Sequence, residues 1–278
     1  MSLFICPLCG GKLEKSDKSY ICPSGHSFDI SSEGYVHLLP ANKKHSKLPG
    51  DDKNMVRARN RFLSAGFYEP LLSALIGLLL ELSAEQPIVL DSGCGEGYYS
   101  EGITKALMGA GKIPFAVGID ISKEAVRLAA KRVKNAEFAV ASAYHLPLAD
   151  GSVDFLINCF SPLCVSEFQR VLKTDGYFIY VVPSPRHLWE LKCTVYDSPY
   201  ENERLYAEYE GFEQVKSIEI KERIVLSDKH TLADLFTMTP YFWKTPQEGF
   251  KRLLSLDMLE TEISFDIYLY KKTTCTGA

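Results

Sequence analysis

Cys6, Cys9, Cys22 and His26 are spaced as Cys-x2-Cys and Cys-x3-His with twelve residues between the two pairs. Gaps of two or three residues let a tight turn aim two ligands at one ion, and Gly10 and Gly25 suit such turns. Three thiolates and one imidazole fill a tetrahedron and leave no position for substrate. The pattern predicts one structural zinc per chain rather than a catalytic metal. Iron matches these ligand types less well.

A second chemical group is Asp91-Ser92-Gly93-Cys94-Gly95-Glu96-Gly97, which follows an apolar run and precedes a helical pattern. Its glycines permit a tight turn and close approach of backbone to a ligand. Gly-x-Gly-x-Gly differs from the Gly-x-Gly-x-x-Gly that seats a dinucleotide pyrophosphate. An acid at the strand end sits badly beside a pyrophosphate and well beside water or an ammonium. S-adenosylmethionine has an ammonium and no phosphate, so it is the expected cofactor. Asp120 lies 29 residues after Asp91, at the end of the next strand pattern, where it can accept from both ribose hydroxyls. Ser142 and Ala143 follow the third strand pattern, the place for the adenine.

These groups need elements to hold them. Pro87–Asp91, Phe115–Ile119, Ala136–Val140, Val153–Asn158 and Tyr177–Val182 read as strands. Tyr98–Met108, Lys123–Lys134 and Glu167–Leu172 read as helices between them, with a turn at Lys173–Gly176. Such alternation predicts a parallel sheet covered on both faces, with ligands at the carboxyl ends of its strands. Two late strands are expected at 215–226 and 263–271. Upstream, residues 1–36 read as the metal module, with strand pieces at Tyr20-Ile21 and Phe28–Ile30. So few apolar residues predict a module that metal must stabilise. Residues 37–82 read as a polar linker, Pro40 to Asp51, then helices broken at Gly66–Pro70. Residues 83–278 form the third unit.

Of 278 residues, 46% are hydrophobic and 24% charged, as in ordinary soluble domains. No apolar run reaches the length of a membrane span, and no secretory signal is evident, so the cytoplasm is the expected compartment. Disulfides are then not expected among the eight cysteines. Net charge is −4, which argues against a wholly basic nucleic-acid binder. Residues 1–61 nonetheless carry ten Lys and Arg against six Asp and Glu, +4, leaving −8 for the rest. A basic head on an acidic body fits a head that meets phosphate.

Beyond these features the chain resembles the class I methyltransferases in its core, and over nearly its whole length the bacterial 23S rRNA (guanine-N1) methyltransferases of the RlmA type. The resemblance rests on Cys-Pro-Leu-Cys at 6–9, Glu-Gly-Tyr-Val-His-Leu-Leu-Pro at 33–40 and Phe-Leu-Ser-Ala-Gly-Phe-Tyr-Glu-Pro-Leu at 62–71. It continues through Asp-Ser-Gly-Cys-Gly-Glu-Gly-Tyr-Tyr at 91–99, Pro-Arg-His-Leu-Trp-Glu-Leu-Lys at 185–192 and Met-Thr-Pro-Tyr-Phe-Trp at 238–243. It implies a Rossmann-like seven-stranded sheet with an N-terminal zinc-binding RNA-recognition module. It also implies methyl transfer to a guanine in a domain II hairpin of 23S rRNA. Tyr68, the Gly97-Tyr98 turn and His187 would contact the cofactor. The first loop reads Asp-Ser-Gly where Asp-Ile-Gly or Asp-Val-Gly is more familiar, with acid and glycines retained.

Guanine N1 carries a proton near neutral pH, so an acceptor must take it. His187, Glu190 and His145 are the candidates. Asn158-Cys159-Phe160-Ser161-Pro162 lacks the second proline and the tyrosine of amino-group methyltransferases, which suits a ring-nitrogen target. Phe67, Tyr68, Tyr98, Tyr99, Phe160, Trp189 and Trp243 are available to stack on a base or adenine. A small-molecule methyltransferase shares the core but leaves the zinc arm unexplained. A non-catalytic rRNA-binding protein leaves the Asp91 loop unexplained, and a nicotinamide dehydrogenase fits the glycine pattern poorly. Two zinc arms embracing one RNA would make a homodimer, though no residue demands it.

Overall fold

The computed structural model describes residues 2–40, 50–204 and 208–273. The N-terminal segment forms a three-stranded antiparallel sheet of β1 (Glu14–Lys15), β2 (Ser19–Ile21) and β3 (Ser27–Asp29). A further strand, β4 (Val36–His37), leaves that module and enters the main sheet. The expected module boundary at residue 36 thus falls inside a strand. Of the expected linker, Ala41 to Pro49 lie outside the described residues, as do Lys43, Lys44 and Lys47 of the basic head.

Asp52 opens α1 (Lys53–Ser64), its carboxylate accepting from the Asn54 and Met55 amides at 2.7 and 3.0 Å. Pro70 sits in the first turn of α2 (Glu69–Leu82), where its missing N–H costs nothing. The alternating part follows as β5 (Ile88–Ser92), α3 (Tyr98–Gly109), β6 (Phe115–Asp120), α4 (Lys123–Arg132) and β7 (Ala136–Val140). Next come β8 (Val153–Cys159), α5 (Val165–Val171), β9 (Leu172–Pro183) and α6 (Trp189–Val195). The chain ends with β10 (Phe212–Leu226), α7 (Lys229–Thr237), α8 (Tyr241–Lys244), α9 (Gln247–Leu254) and β11 (Leu259–Lys272). No single helix among the described residues is long and apolar enough to cross a membrane.

The main sheet has the order β10-β11-β9-β8-β5-β6-β7-β4. Its strands from β4 to β9 pair in parallel, and β10 and β11 are antiparallel. Among the described residues the seven expected strands are joined by an eighth, β4, beside β7. The order reverses between β5 and β8, so a crevice opens beyond their carboxyl ends. The expected turn at Lys173–Gly176 is an outward excursion within β9, with Leu172 opposite Val153 and Tyr177 opposite Phe155. Asp175 takes φ 64° there.

The zinc module has no core of its own and shares one with the sheet. Phe4, Leu13 and Tyr20 are buried in the same cluster as Val117, Leu148, Leu156 and Phe178. The Ile5 amide donates to Pro147 O at 2.9 Å. Glu137 accepts from the Tyr20 hydroxyl and from Ser2 Oγ, each at 2.9 Å. The opposite face of the sheet is covered by α2, α3 and α6 over a second cluster that includes Tyr68, Ile157, Val181 and Phe265.

Candidate cofactor site and metal centre

The four predicted metal ligands converge. One ligand atom from each of Cys6, Cys9, Cys22 and His26 lies within 4.8 Å of all the others. Cys9 Sγ and Cys22 Sγ are 3.6 Å apart, and His26 Nδ1 is 3.3 Å from Cys22 Sγ and 3.6 Å from Cys6 Sγ. A tetrahedron with Zn–S bonds of ~2.3 Å has edges of about 3.8 Å, so the cluster is sized for the ion. The centre holds the knuckles after Cys6 and Cys22, where the Gly10 amide donates to Cys6 O and the Gly25 amide to Cys22 O.

At the carboxyl ends of β5 and β6 the predicted cofactor residues also meet. Gly93 has φ 87°, and a Cβ there would lie 2.2 Å from Ser161 Cβ, so only glycine lets the loops after β5 and β8 touch. Ser161 Oγ donates to Ser92 O at 2.6 Å across that contact. A Cβ on Gly95 would meet nothing within 4 Å, so this glycine faces open space at the crevice. Its amide donates to Asp120 Oδ2 at 3.0 Å, while the Ser122 amide donates to Asp120 Oδ1 at 2.8 Å. Asp91 accepts from Ser100 Oγ at 2.5 Å. Burial, together with the nearby Asp120 and Glu96 charges, pushes the Asp91 carboxyl up to about 7. Burial raises Asp120 and Glu96 as well. Glu96 Oε1 is buried with no hydrogen-bond partner among the described residues. A bed of two buried carboxyls and the half-buried Asp120 suits a ligand carrying a sulfonium and an ammonium, and repels a pyrophosphate. These residues therefore fit S-adenosylmethionine.

Gly97 caps α3 with φ 85°, and Tyr98 beyond it turns its hydroxyl to Glu69 Oε2 at 3.2 Å. Ser142 and Ala143 form a half-buried turn after β7, tied to β6 by the Ala141 amide on Asp120 O at 3.0 Å. Tyr68, at the start of α2, and His187, before α6, meet as Tyr68 Oη and His187 Nε2 at 3.2 Å. Phe265 packs on both, with ring centroids 4.8 and 4.7 Å away.

Two family profiles match the chain, the RlmA N-terminal zinc ribbon over residues 4–47 and a methyltransferase domain over residues 84–233. The Bacillus subtilis protein YxjB, provisionally named a 23S rRNA (guanine-N(1)-)-methyltransferase, is 35% identical over 98% of each chain. The chain belongs to the RlmA family. A Streptomyces fradiae relative, a 23S rRNA (guanine(748)-N(1))-methyltransferase, is 36% identical over 67% of this chain and 65% of its own.

For an RlmA-family enzyme the acid–base candidates now separate. His187 Nδ1 accepts from the Ser264 amide at 3.1 Å, so its proton sits on Nε2. Burial pushes this imidazole down to about 3. It is a fixed neutral donor with no lone pair to spare, which removes it as a base. Glu190 accepts from the Glu262 amide at 2.9 Å and Thr261 Oγ1 at 3.1 Å, and pairs with Arg223 at 3.1 Å. That carboxylate ties α6 to β11 and β10, and it too is removed. His145 remains exposed on the loop after β7.

One further pair carries no signal in the sequence. Arg59 in α1 is ion-paired with Asp51, donates to Met238 O at 3.1 Å, and is held protonated against its burial by Asp51, Glu96 and Asp120. Asp51 O accepts from Ser122 Oγ at 3.0 Å. Arg59 is thus a half-buried cation that offsets the acidic bed.

Proposed function

We propose that this chain transfers a methyl group from S-adenosylmethionine to N1 of a guanine in 23S rRNA, within a hairpin of domain II. One observation carries the reading, the packing of a Cys3His metal centre onto the same sheet whose carboxyl ends bear a cofactor crevice of buried acids. The names of the relatives agree with it. A small-molecule acceptor leaves the ribbon packed on the sheet unexplained.

The cofactor's sulfonium supplies an activated methyl group. Asp120 would receive the ribose hydroxyls, the Ser142-Ala143 turn would border the adenine, and Asp91 with Gly95 and Gly97 would shape the bed beneath the amino acid end. His187 donates to Tyr68, so the Tyr68 proton is left for an acceptor such as the cofactor carboxylate. With His187 and Glu190 occupied, His145 or water at the open crevice is left to take the guanine N1 proton. Orientation of N1 toward the methyl supplies most of the acceleration. Zinc keeps the ribbon in shape, and Lys12, Lys15 and Lys18 on it meet RNA phosphate.

The test is methyl transfer from labelled cofactor to 23S rRNA from a strain lacking this gene, with the product mapped by reverse-transcription stop and mass. One N1-methylguanine in domain II is the expected result. No incorporation into rRNA by cofactor-binding protein would overturn the reading.

A further inference from the structure

Phe160, at the carboxyl end of β8, combines three properties that rarely coincide. Its backbone is left-handed at φ 53°, a conformation unfavourable for a residue with a Cβ. Its side chain is large and apolar yet 46% exposed. The loop that carries it is fixed from several sides. Asn158, fully buried, donates from Nδ2 to Ser161 Oγ at 2.7 Å and to Pro162 O at 3.1 Å. Ser161 Oγ in turn donates to Ser92 O of the cofactor loop, and the Phe160 amide donates to Val181 O at 3.2 Å. Strain of this kind persists only where surrounding structure over-determines it, and such positions cluster at functional sites.

The location says what the ring is for. On one side its neighbour Ser161 touches Gly93, at the floor of the cofactor crevice. On the other its ring leans on Phe265, 5.6 Å between centroids, and Phe265 leans on Tyr68 and His187. The exposed ring therefore stands between the two groups of residues assigned to the cofactor.

We infer that Phe160 is the stacking platform of an acceptor subsite, which takes a guanine base flipped out of its RNA hairpin. A base lying on this ring leaves its Watson–Crick edge free, so N1 can face the methyl group. The subsite rests on the rRNA reading above.

The experiment compares Phe160→Ala, Phe160→Gly and Phe160→Tyr with the wild type, using 23S rRNA as substrate and calorimetric titration of S-adenosylmethionine. Loss of stacking in the Ala and Gly variants should lower kcat/KM for RNA by roughly 10- to 100-fold, with cofactor affinity unchanged within about twofold. The Tyr variant restores a π-face and should stay within about threefold of wild type. Phe160→Gly relieves the backbone, so its Tm should equal or exceed that of the wild type while its activity falls. Full activity of Phe160→Ala would overturn the inference, as would equal loss in the Tyr variant or a matching loss of cofactor affinity. A wild type that modifies no guanine N1 would instead count against the rRNA reading. The platform is then judged by saturation-transfer contacts to guanosine monophosphate. Their loss in Phe160→Ala supports it, and their persistence or absence in both proteins overturns it.

Discussion

His187 Nε2 donates to the Tyr68 hydroxyl across 3.2 Å, joining residues 119 positions apart at the edge of the cofactor crevice. The bond has a fixed direction, because the Ser264 amide occupies the other ring nitrogen at 3.1 Å. With its imidazole pushed down to about 3, His187 stays neutral through the physiological range. The pH profile of methyl transfer should therefore show no limb between pH 5 and 8 that disappears in His187→Gln. Such a limb, present in the wild type and absent in the variant, would restore His187 as a base. Tyr68→Phe should strand the Nε2–H and cost about 1–2 kcal/mol of stability in urea unfolding, with weaker cofactor binding.

Asp91, unlike His187, should make the protein pH-dependent. Its folded value of about 7 lies above the ordinary carboxyl value of 3.8. A group raised on folding contributes stability that is fully present below its unfolded value and is lost as pH rises through the folded value. Cofactor-free protein should thus lose stability between about pH 4 and 7, on the order of 4 kcal/mol from this residue. Asp91→Asn should flatten that part of the curve and weaken cofactor binding. Identical stability curves for the two proteins would refute the assignment.

Gly93 and Gly95 should separate folding from binding. An alanine at Gly93 collides with Ser161, so Gly93→Ala should lose more than about 2 kcal/mol of stability. Gly95→Ala meets open space and should cost only about 1 kcal/mol, while its methyl obstructs the crevice and weakens cofactor binding. Calorimetry and cofactor titration on both variants check this, and equal stability losses would contradict it.

Zinc removal should be felt by the whole molecule. Phe4, Leu13 and Tyr20 share a core with the sheet, so the ribbon cannot melt alone. Strong chelation, or Cys9→Ser, should lower the Tm by roughly 10 °C or more in a single transition. Two resolved transitions in scanning calorimetry would show an independent arm. Deleting residues 1–36 removes half of β4 and uncovers the edge of β7, so aggregation is the expected outcome of that truncation.

Local patterns were legible and long-range ones were not. Cys6 to His26 declared a metal by spacing, and β5 to β8 declared a parallel sheet by alternating with α3 and α4. The Asp91 loop and Asp120 could be placed because each ends a strand. By contrast β4 is two residues long, too short for any periodicity, and its partner β7 lies about a hundred residues on. Docking of the ribbon depends on Glu137 and Leu148, which nothing near Tyr20 or Phe4 foretells. The roles of His187 and Glu190 were hidden for the same reason, since the Ser264 and Glu262 amides that occupy them are 77 and 72 residues away. Arg59 meets Glu96 and Asp120 only through the fold, since they lie 37 and 61 residues on.

Tyr20 and Glu137 are 117 residues apart. A ribosome adding ~5–20 residues per second takes roughly 6–24 seconds to cover that distance. Through that interval the newborn ribbon presents Phe4, Leu13 and Tyr20 with no sheet to receive them. Metal is then its sole source of order, and ion loading belongs to the time of synthesis. A zinc-starved cell should lose this protein as nascent chain, through aggregation or proteolysis, before any finished enzyme gives up its ion.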